Sequence, residues 1–453
     1  MKNFKLVFIS LIIASCSFDN KTGIWKDATT IPVENENTEL VKADNSNIRY
    51  VDVFVEKENF NEERNSVKKS ILNLDDPVKL VNWPEEFGNP TNNISNYLYT
   101  GNKILVSKSF KLNKFFRNKQ HFNNIIFYNN NLISYDHKGK IFIYSLNLKK
   151  KIFEYDFYKK NFKNFKKEIY FLLNENTLYA ADNLGYLYAI NLKKNSLLWA
   201  KNYGIPFRSN LKINKEQIFV ANQDNVIYSI NKNNGEKNWQ FATNTTILKS
   251  NFKNNLALDQ INNNVIFLNT SGELYSINYL NKKINWIINF KNSRTKLNTE
   301  LFLSHPIVLK KNNIIISAGN SLLSFDVSTG SRNWEFLSNS ITKPILTTDH
   351  TFIISKNNLL ICVDNKTGDV VWSKNILKYI MNRKQNIKFN DFKIVNSKIN
   401  IFLNDGYLLT FNHNNGNHNF STKISKKGIN SKIIFLNGNM FLFNYSNKLL
   451  KFN

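Results

Sequence analysis

The sequence predicts an all-β fold: an eight-bladed β-propeller of four-stranded blades, closed by an N-terminal strand. Three observations predict it. A strand-turn-strand phrase recurs through the chain, its spacing is that of one blade, and the composition is rich in Phe and Tyr with few Met. No long amphipathic helical pattern interrupts it.

The phrase is clearest at Gly185-Tyr186-Leu187-Tyr188-Ala189-Ile190-Asn191, followed by Trp199. Anchored on the Asn or Asp that ends the first strand, an aromatic residue follows at an offset of eight. The pairs are Asn147–Tyr155, Asn191–Trp199, Asn231–Trp239, Asn278–Trp286, Asp326–Trp334, Asp364–Trp372 and Asn412–Phe420. The anchors lie 38 to 48 residues apart. Four residues after most anchors stands Gly235, Gly330, Gly368, Gly416 or Asn195, which tolerate the positive φ of a tight hairpin. Lys151 and Lys282 depart from that pattern. Two further apolar runs precede each anchor, such as Ile218–Ala221 and Ile314–Ser317, giving about four strands per period.

The last strand, Leu449–Asn453, reaches the anchor, and the sequence given ends there without the aromatic strand. The expected donor is Val78–Trp83, which would pair beside Leu449–Phe452 and hide both sheet edges. The connection then runs through Lys103–Arg117. The Trp residues read as plugs between blades.

Lys and Arg number 61 against 34 Asp and Glu, a net charge of +27. The lysines are scattered, and Lys and Asn abound even in turns, so biased composition accounts for the charge better than an acidic partner does. The aromatics follow strand periodicity, which argues against a nucleic-acid surface.

Met1–Ser15 has a basic start and a short apolar run, too short to span a bilayer. It ends Ile13-Ala14-Ser15-Cys16, which resembles the lipobox of bacterial lipoproteins. That resemblance implies cleavage before Cys16 and acylation of Cys16, palmitate included. Ser17, where Asp would signal inner-membrane retention, implies an outer-membrane anchor facing the periplasm. Several acyl chains hold firmly where one alone is marginal. The other cysteine, Cys362, reads as a buried apolar residue, and no intramolecular disulfide is expected. The expected domains are a signal peptide at 1–15, a polar tether at 16–77 and the propeller at 78–453. Within the tether, Glu56–Leu74 reads as a short helix. The stretches Lys291–Thr299 and Lys378–Asn390 read as surface loops.

The phrase Leu322–Gly330 followed by Trp334 resembles the pyrroloquinoline-quinone-type propeller repeat. Quinoprotein alcohol dehydrogenases use it, and so do the BamB lipoproteins of outer-membrane β-barrel assembly. Lipobox, eight repeats and the Trp83–Pro90 stretch together resemble the BamB family. The resemblance implies a non-catalytic scaffold without a cofactor. Its implied partners are a POTRA domain of BamA, other Bam subunits and unfolded outer-membrane proteins. It also implies that Ile205, Phe207 and Arg208 make the BamA contact. The family's acidic positions correspond to Lys253 and Asn255, neither of them acidic, while Asp259 lies nearby.

The quinoprotein alternative implies an adjacent Cys pair and clustered carboxylates, and the sequence shows neither. A ligand- or envelope-binding propeller is the remaining alternative. His413 and His418 read as turn residues rather than a metal pair, and there is no phosphate-cradling glycine loop.

Overall fold

The computed structural model describes residues 16–19, 24–27, 48–51, 59–66, 71–101, 107–111, 125–159, 162, 165–245, 253–290, 302–338, 340–380 and 388–453. Their strands form eight consecutive antiparallel sheets arranged as a propeller, with essentially no helix. Blades 1 to 7 span residues 126–155, 169–202, 212–242, 255–289, 308–336, 345–375 and 389–423. Blade 8 joins residues 434–452 to the strand Ser107–Lys111. First strands of neighbouring blades touch round the axis, so the last strand of each blade is outermost.

The ring is closed by an N-terminal strand as expected, but the donor differs. Lys448–Phe452 pairs with Ser107–Lys111, inside the stretch read as a connection. Outer strands here are largely exposed, as in Ser196–Asn202, so apolar content does not mark them. The register places Lys108 opposite Lys451, where other blades place an aromatic residue. Val78–Trp83, expected beside the last strand, instead enters the central channel.

The repeat phase also needs one correction. In blade 1 the third strand ends at Ser145 and the left-handed turn residue is Lys149. Ser145 is therefore the anchor and Phe153 its partner, two residues before Asn147 and Tyr155. The Ser145 hydroxyl accepts the Leu148 N–H, as Asn191 accepts those of Lys193 and Lys194. A search for Asn or Asp alone passes over it.

The phrase works as a latch between blades. Trp372 is fully buried and donates its Nε1–H to the His413 carbonyl of the next blade, at 3.1 Å. Gly416, at φ +69°, faces the same ring, and a Cβ there would lie 2.6 Å from Cε3. Glycine is needed for space as well as for backbone sign. Trp199, Trp286 and Trp334 repeat the donation to Lys232, Val327 and Asn365, against Gly235, Gly330 and Gly368. Each latch buries a large ring and satisfies its polar atom. Where Lys282 replaces glycine, Trp239 is half-buried and its Nε1 finds no acceptor among the described residues.

From Ile48 to Leu72, described parts of the polar segment lie along the outside of the ring. Ile48–Tyr50 adds a parallel fifth strand to blade 4. The Phe60 N–H donates to Leu337, Arg64 bridges Ser373, and the Leu72 N–H donates to the Asn414 side chain. The helix expected over Glu56–Leu74 is absent from the described residues 59–66 and 71–74, which run extended against blades 5 to 7. Their N–H groups bond outer strands and turns of the ring instead of each other. Met1–Ser15 lies outside the described residues, as do the whole of the expected loop Lys291–Thr299 and residues 381–387 of the expected loop Lys378–Asn390.

Residues 78–100 then make one circuit inside the channel. Leu80 accepts from Asn437 of blade 8, Trp83 bridges Phe127 of blade 1, and Pro84 accepts from Leu173 of blade 2. Pro90 and Thr91 accept from Leu258 and Leu309 of blades 4 and 5. The Asn93 side chain donates to Leu346 of blade 6, and the Tyr97 N–H to Ile394 of blade 7. Blade 3 joins through Lys212, which pairs with Glu85 and donates to the Asn89 carbonyl at 3.0 Å. The segment is a plug that touches the first sheet element of every blade. Trp83, buried against Ile94 and Gly88, fixes its hairpin-like start.

Candidate functional site

The sequence-derived contact residues lie on the connection between blades 2 and 3. Gly204 is exposed and Ile205 half-buried at its tip. Gly185 packs under it, where a Cβ would lie 2.9 Å from the Ile205 nitrogen. Phe207 is fully buried. Its N–H donates to the Asp182 carbonyl at 3.0 Å, and its ring packs on Tyr203 and Tyr228. Phe207 is thus a core residue between blades, and the accessible part of this loop is Gly204 and Ile205. Arg208 is half-buried; its Nη1 lies 3.3 Å from Glu168 Oε2, whose other oxygen accepts from Tyr170 at 3.0 Å. Burial and the Glu168 charge push the Tyr170 hydroxyl far above its ordinary pKa.

Lys253 and Asn255 do not extend that loop outward. Both line a cavity on the axis, and Lys253 Nζ sits 4.7 Å from the Tyr170 ring centre. Asn255 donates to the Ser304 hydroxyl at 3.3 Å. Asp259 stands at the far end of its strand, capping the turn through the Ile261 N–H. Cys16 begins a two-stranded hairpin, Cys16–Asp19 with Ile24–Asp27. Cys362 is buried opposite Trp372 and free. His413 Nε2 donates to the Leu72 carbonyl at 3.2 Å, and His418 stacks on Tyr379 at 4.2 Å.

The axial cavity has a volume of about 360 Å³. Its floor is the plug, through Trp83, Glu86, Phe87 and Tyr97. Its walls are residues at or just before the start of the first strands of blades 3 to 6 and 8, and Phe389–Lys393 within the first strand of blade 7. It is therefore a cup on the same side of the ring as the 203–208 connection. Four lysines enter it: Lys253, Lys343, Lys393 and Lys432. Glu86 lies 3.6 Å from Lys253 and 3.4 Å from Lys432. Burial opposes its ionisation, but the two lysines outweigh that and hold its carboxyl below the ordinary range. Asp391 accepts from Lys393 at 2.9 Å and from the Phe392 and Ile433 N–H groups. Lys343 makes no ion pair among the described residues; its Nζ lies 3.5 Å from the Pro344 carbonyl. Burial, together with repulsion from Lys393 and Lys432 that Asp391 only partly offsets, pulls its pKa down to about 7.

Sequence reasoning missed this cup. Lys253, Lys343 and Lys432 share one phase, two residues before the first strands of blades 4, 6 and 8 at Asn255, Ile345 and Ile434. Variable loop lengths hide that phase when blades are counted from their anchors.

A family model described as outer membrane protein assembly factor BamB matches residues 159–374. That stretch holds blades 2 to 6, including the Ile205 loop. The chain is a BamB-like propeller of the quinone-type repeat. BamB from Moraxella catarrhalis superposes with a TM-score of 0.58 at 14% identity, covering 78% of this chain and 99% of that one. A quinohemoprotein alcohol dehydrogenase from Pseudomonas putida gives 0.54 at 10% identity, covering 80% of this chain and 75% of that one. A europium-containing methanol dehydrogenase also gives 0.54 at 10% identity, covering 80% and 89%. At these identities the structures share the fold with the chain. No curated protein matches the sequence.

The two dehydrogenases share only the fold at 10% identity, so whether this chain could hold a quinone with a metal ion is a question for the cup's own residues. Calcium takes six to eight oxygen ligands, several of them carboxylates. The cup's two carboxylates are each bound to lysine, and four ammonium groups face the same space. Among the described residues no cluster of His, Cys, Asp or Glu is fit to hold a metal. The donor set does not fit a calcium-bound quinone.

Proposed function

We propose that this chain is a non-catalytic scaffold of outer-membrane β-barrel assembly. It is anchored by acylated Cys16, faces the periplasm and docks on the barrel insertase BamA. One observation carries the reading: the chain that matches the BamB family over residues 159–374 forms a ring whose centre is filled by its own residues 78–100. A channel plugged on one side and lysine-lined on the other suits a rigid platform better than an active site. The domain division follows as part of the same proposal: signal peptide 1–15, linking segment 16–77, propeller 78–453.

The docking surface is the 203–208 connection. Ile205 offers the apolar anchor at the tip, and Arg208 sets the charge beside it through Glu168. Phe207 supports the loop from below. A photo-crosslinker at Ile205 in native membranes is expected to capture BamA, and Arg208→Glu to lower outer-membrane porin levels. Crosslinks that never contain BamA, with porin levels unchanged in Arg208→Glu, overturn the docking reading. Recovery of the mature chain without acyl mass on Cys16 overturns the anchor.

A further inference from the structure

We infer that the axial cup is a binding site for a small organic dianion, two carboxylate or phosphate groups carried on an apolar frame the size of one ring. The inference is independent of the scaffold reading above, since it rests on the cup alone.

Charge sets the ligand's sign. Lys253, Lys343, Lys393 and Lys432 converge on a space that also holds Glu86 and Asp391, an excess of two positive groups when all are ionised. Asp391 already accepts from one lysine and two backbone N–H groups, so it has little capacity left. Glu86 is shared between Lys253 and Lys432 at 3.6 and 3.4 Å, long for hydrogen bonds. Lys343 stands without an acid among the described residues. Ammonium groups crowded together in a partly desolvated space are costly unless an anion joins them.

Shape and lining set the frame. A cup of about 360 Å³ lies at the small end of the range for small-molecule sites. Trp83, Phe87, Phe302 and Phe389 contribute to its floor and walls. Phe302 is held stacked on Phe290 at 5.4 Å, and Phe87 lies 4.6 Å beneath Lys432 Nζ. Apolar faces alternating with ammonium tips suit an aromatic dicarboxylate better than free phosphate, which would leave those faces wet.

Protonation couples to binding. Around Lys343 stand Lys393 and Asp391 of blade 7, Lys432 of blade 8, Lys212 of blade 3, Lys253 of blade 4, His305 of blade 5 and Glu86 of the plug. An anion seated among them favours the charged form of Lys343, so binding takes up a proton above pH 7 and weakens as pH rises.

The test is calorimetric titration of the purified full chain with benzene-1,3-dicarboxylate, benzoate and inorganic phosphate. The dicarboxylate is expected to bind saturably, at least fivefold tighter than the other two, and tighter at pH 6.5 than at pH 8.5. Lys343→Met and Lys432→Met should each weaken it tenfold or more, while Lys194→Met in an exposed hairpin turn should not. Circular dichroism checks the fold, and either variant suffices if the other fails to fold. Absence of saturable binding at millimolar dicarboxylate overturns the inference. Unchanged affinity in the folded lysine variants, or phosphate binding as tightly as the dicarboxylate, does so too.

Discussion

Two parts of the ring solve the same joining problem differently. From blade 4 to blade 7 each seam carries the latch, with Trp286, Trp334 and Trp372 set against Gly330, Gly368 and Gly416. Around blades 7, 8 and 1 the latch is missing: Phe420 is 39% exposed, and Lys108 stands in register where an aromatic would be. There the plug takes over. Trp83, Ile94 and Tyr97 pack with residues of blades 1, 7 and 8 in one core cluster. Latches act between neighbours, as in any repeat array. The plug ties distant blades together, so it secures the place where the two ends of the array meet.

The largest expected effect tests the latch. Trp372→Ala should cost about 3–5 kcal/mol, whereas the exposed Phe420→Ala should stay within about 0.5 kcal/mol. Urea midpoints at matched slopes give both numbers, and similar losses would erase the distinction between seams. The plug is tested next through its buried ion pair, Lys212 with Glu85. Burial drives both partners toward their neutral forms, so neither tolerates losing the other. Lys212→Met alone should cost about 3–5 kcal/mol, and adding Glu85→Leu should recover most of it. A double variant no better than the single one would mean that the pair is not what holds the plug.

Smaller effects sharpen the contrast. Gly416→Ala forces a left-handed backbone onto alanine and a methyl against Trp372, a loss of about 1–2 kcal/mol from the backbone alone. Lys343 should give the cup a pH signature. Its pKa falls from 10.5 to about 7 on folding, so the unfolded chain binds the extra proton between those values. Its contribution to stability therefore rises as pH goes from 7 to 10, on the order of 1 kcal/mol per unit. Melting curves of Lys343→Met should lack that rise. Last, Lys282 holds φ +61° at the latch position facing Trp239. Lys282→Gly should stabilise by about 0.5–1 kcal/mol, and a loss there would show that the lysine has its own role.

The blade phrase was legible because its requirements are local. A hairpin turn needs Gly or Asn, a strand with both faces packed needs alternating apolar residues, and the interblade gap needs an aromatic. Asn191, Asn231, Asp326 and Asp364 all met these tests in the structure. Blade 1 slipped by two residues because Ser145 caps its turn as well as Asn does. The closing strand was misplaced because Ser107–Lys111 lies at an outer edge, where polarity is tolerated. Phe207 drew attention as a contact residue, yet its N–H bond to Asp182 seats it between blades.

The ring can be read from the chain alone, since the repeats carry their own turns and strand patterns, and most of them an aromatic latch, at anchor spacings of 38 to 48 residues. What fills the ring depends on the closed fold. The plug's partners lie far away in sequence, 346 residues for Glu86 with Lys432. The cup's lysines come from separate blades whose loops differ in length. Such meetings depend on closure of the whole circle, and no periodicity in the chain records them.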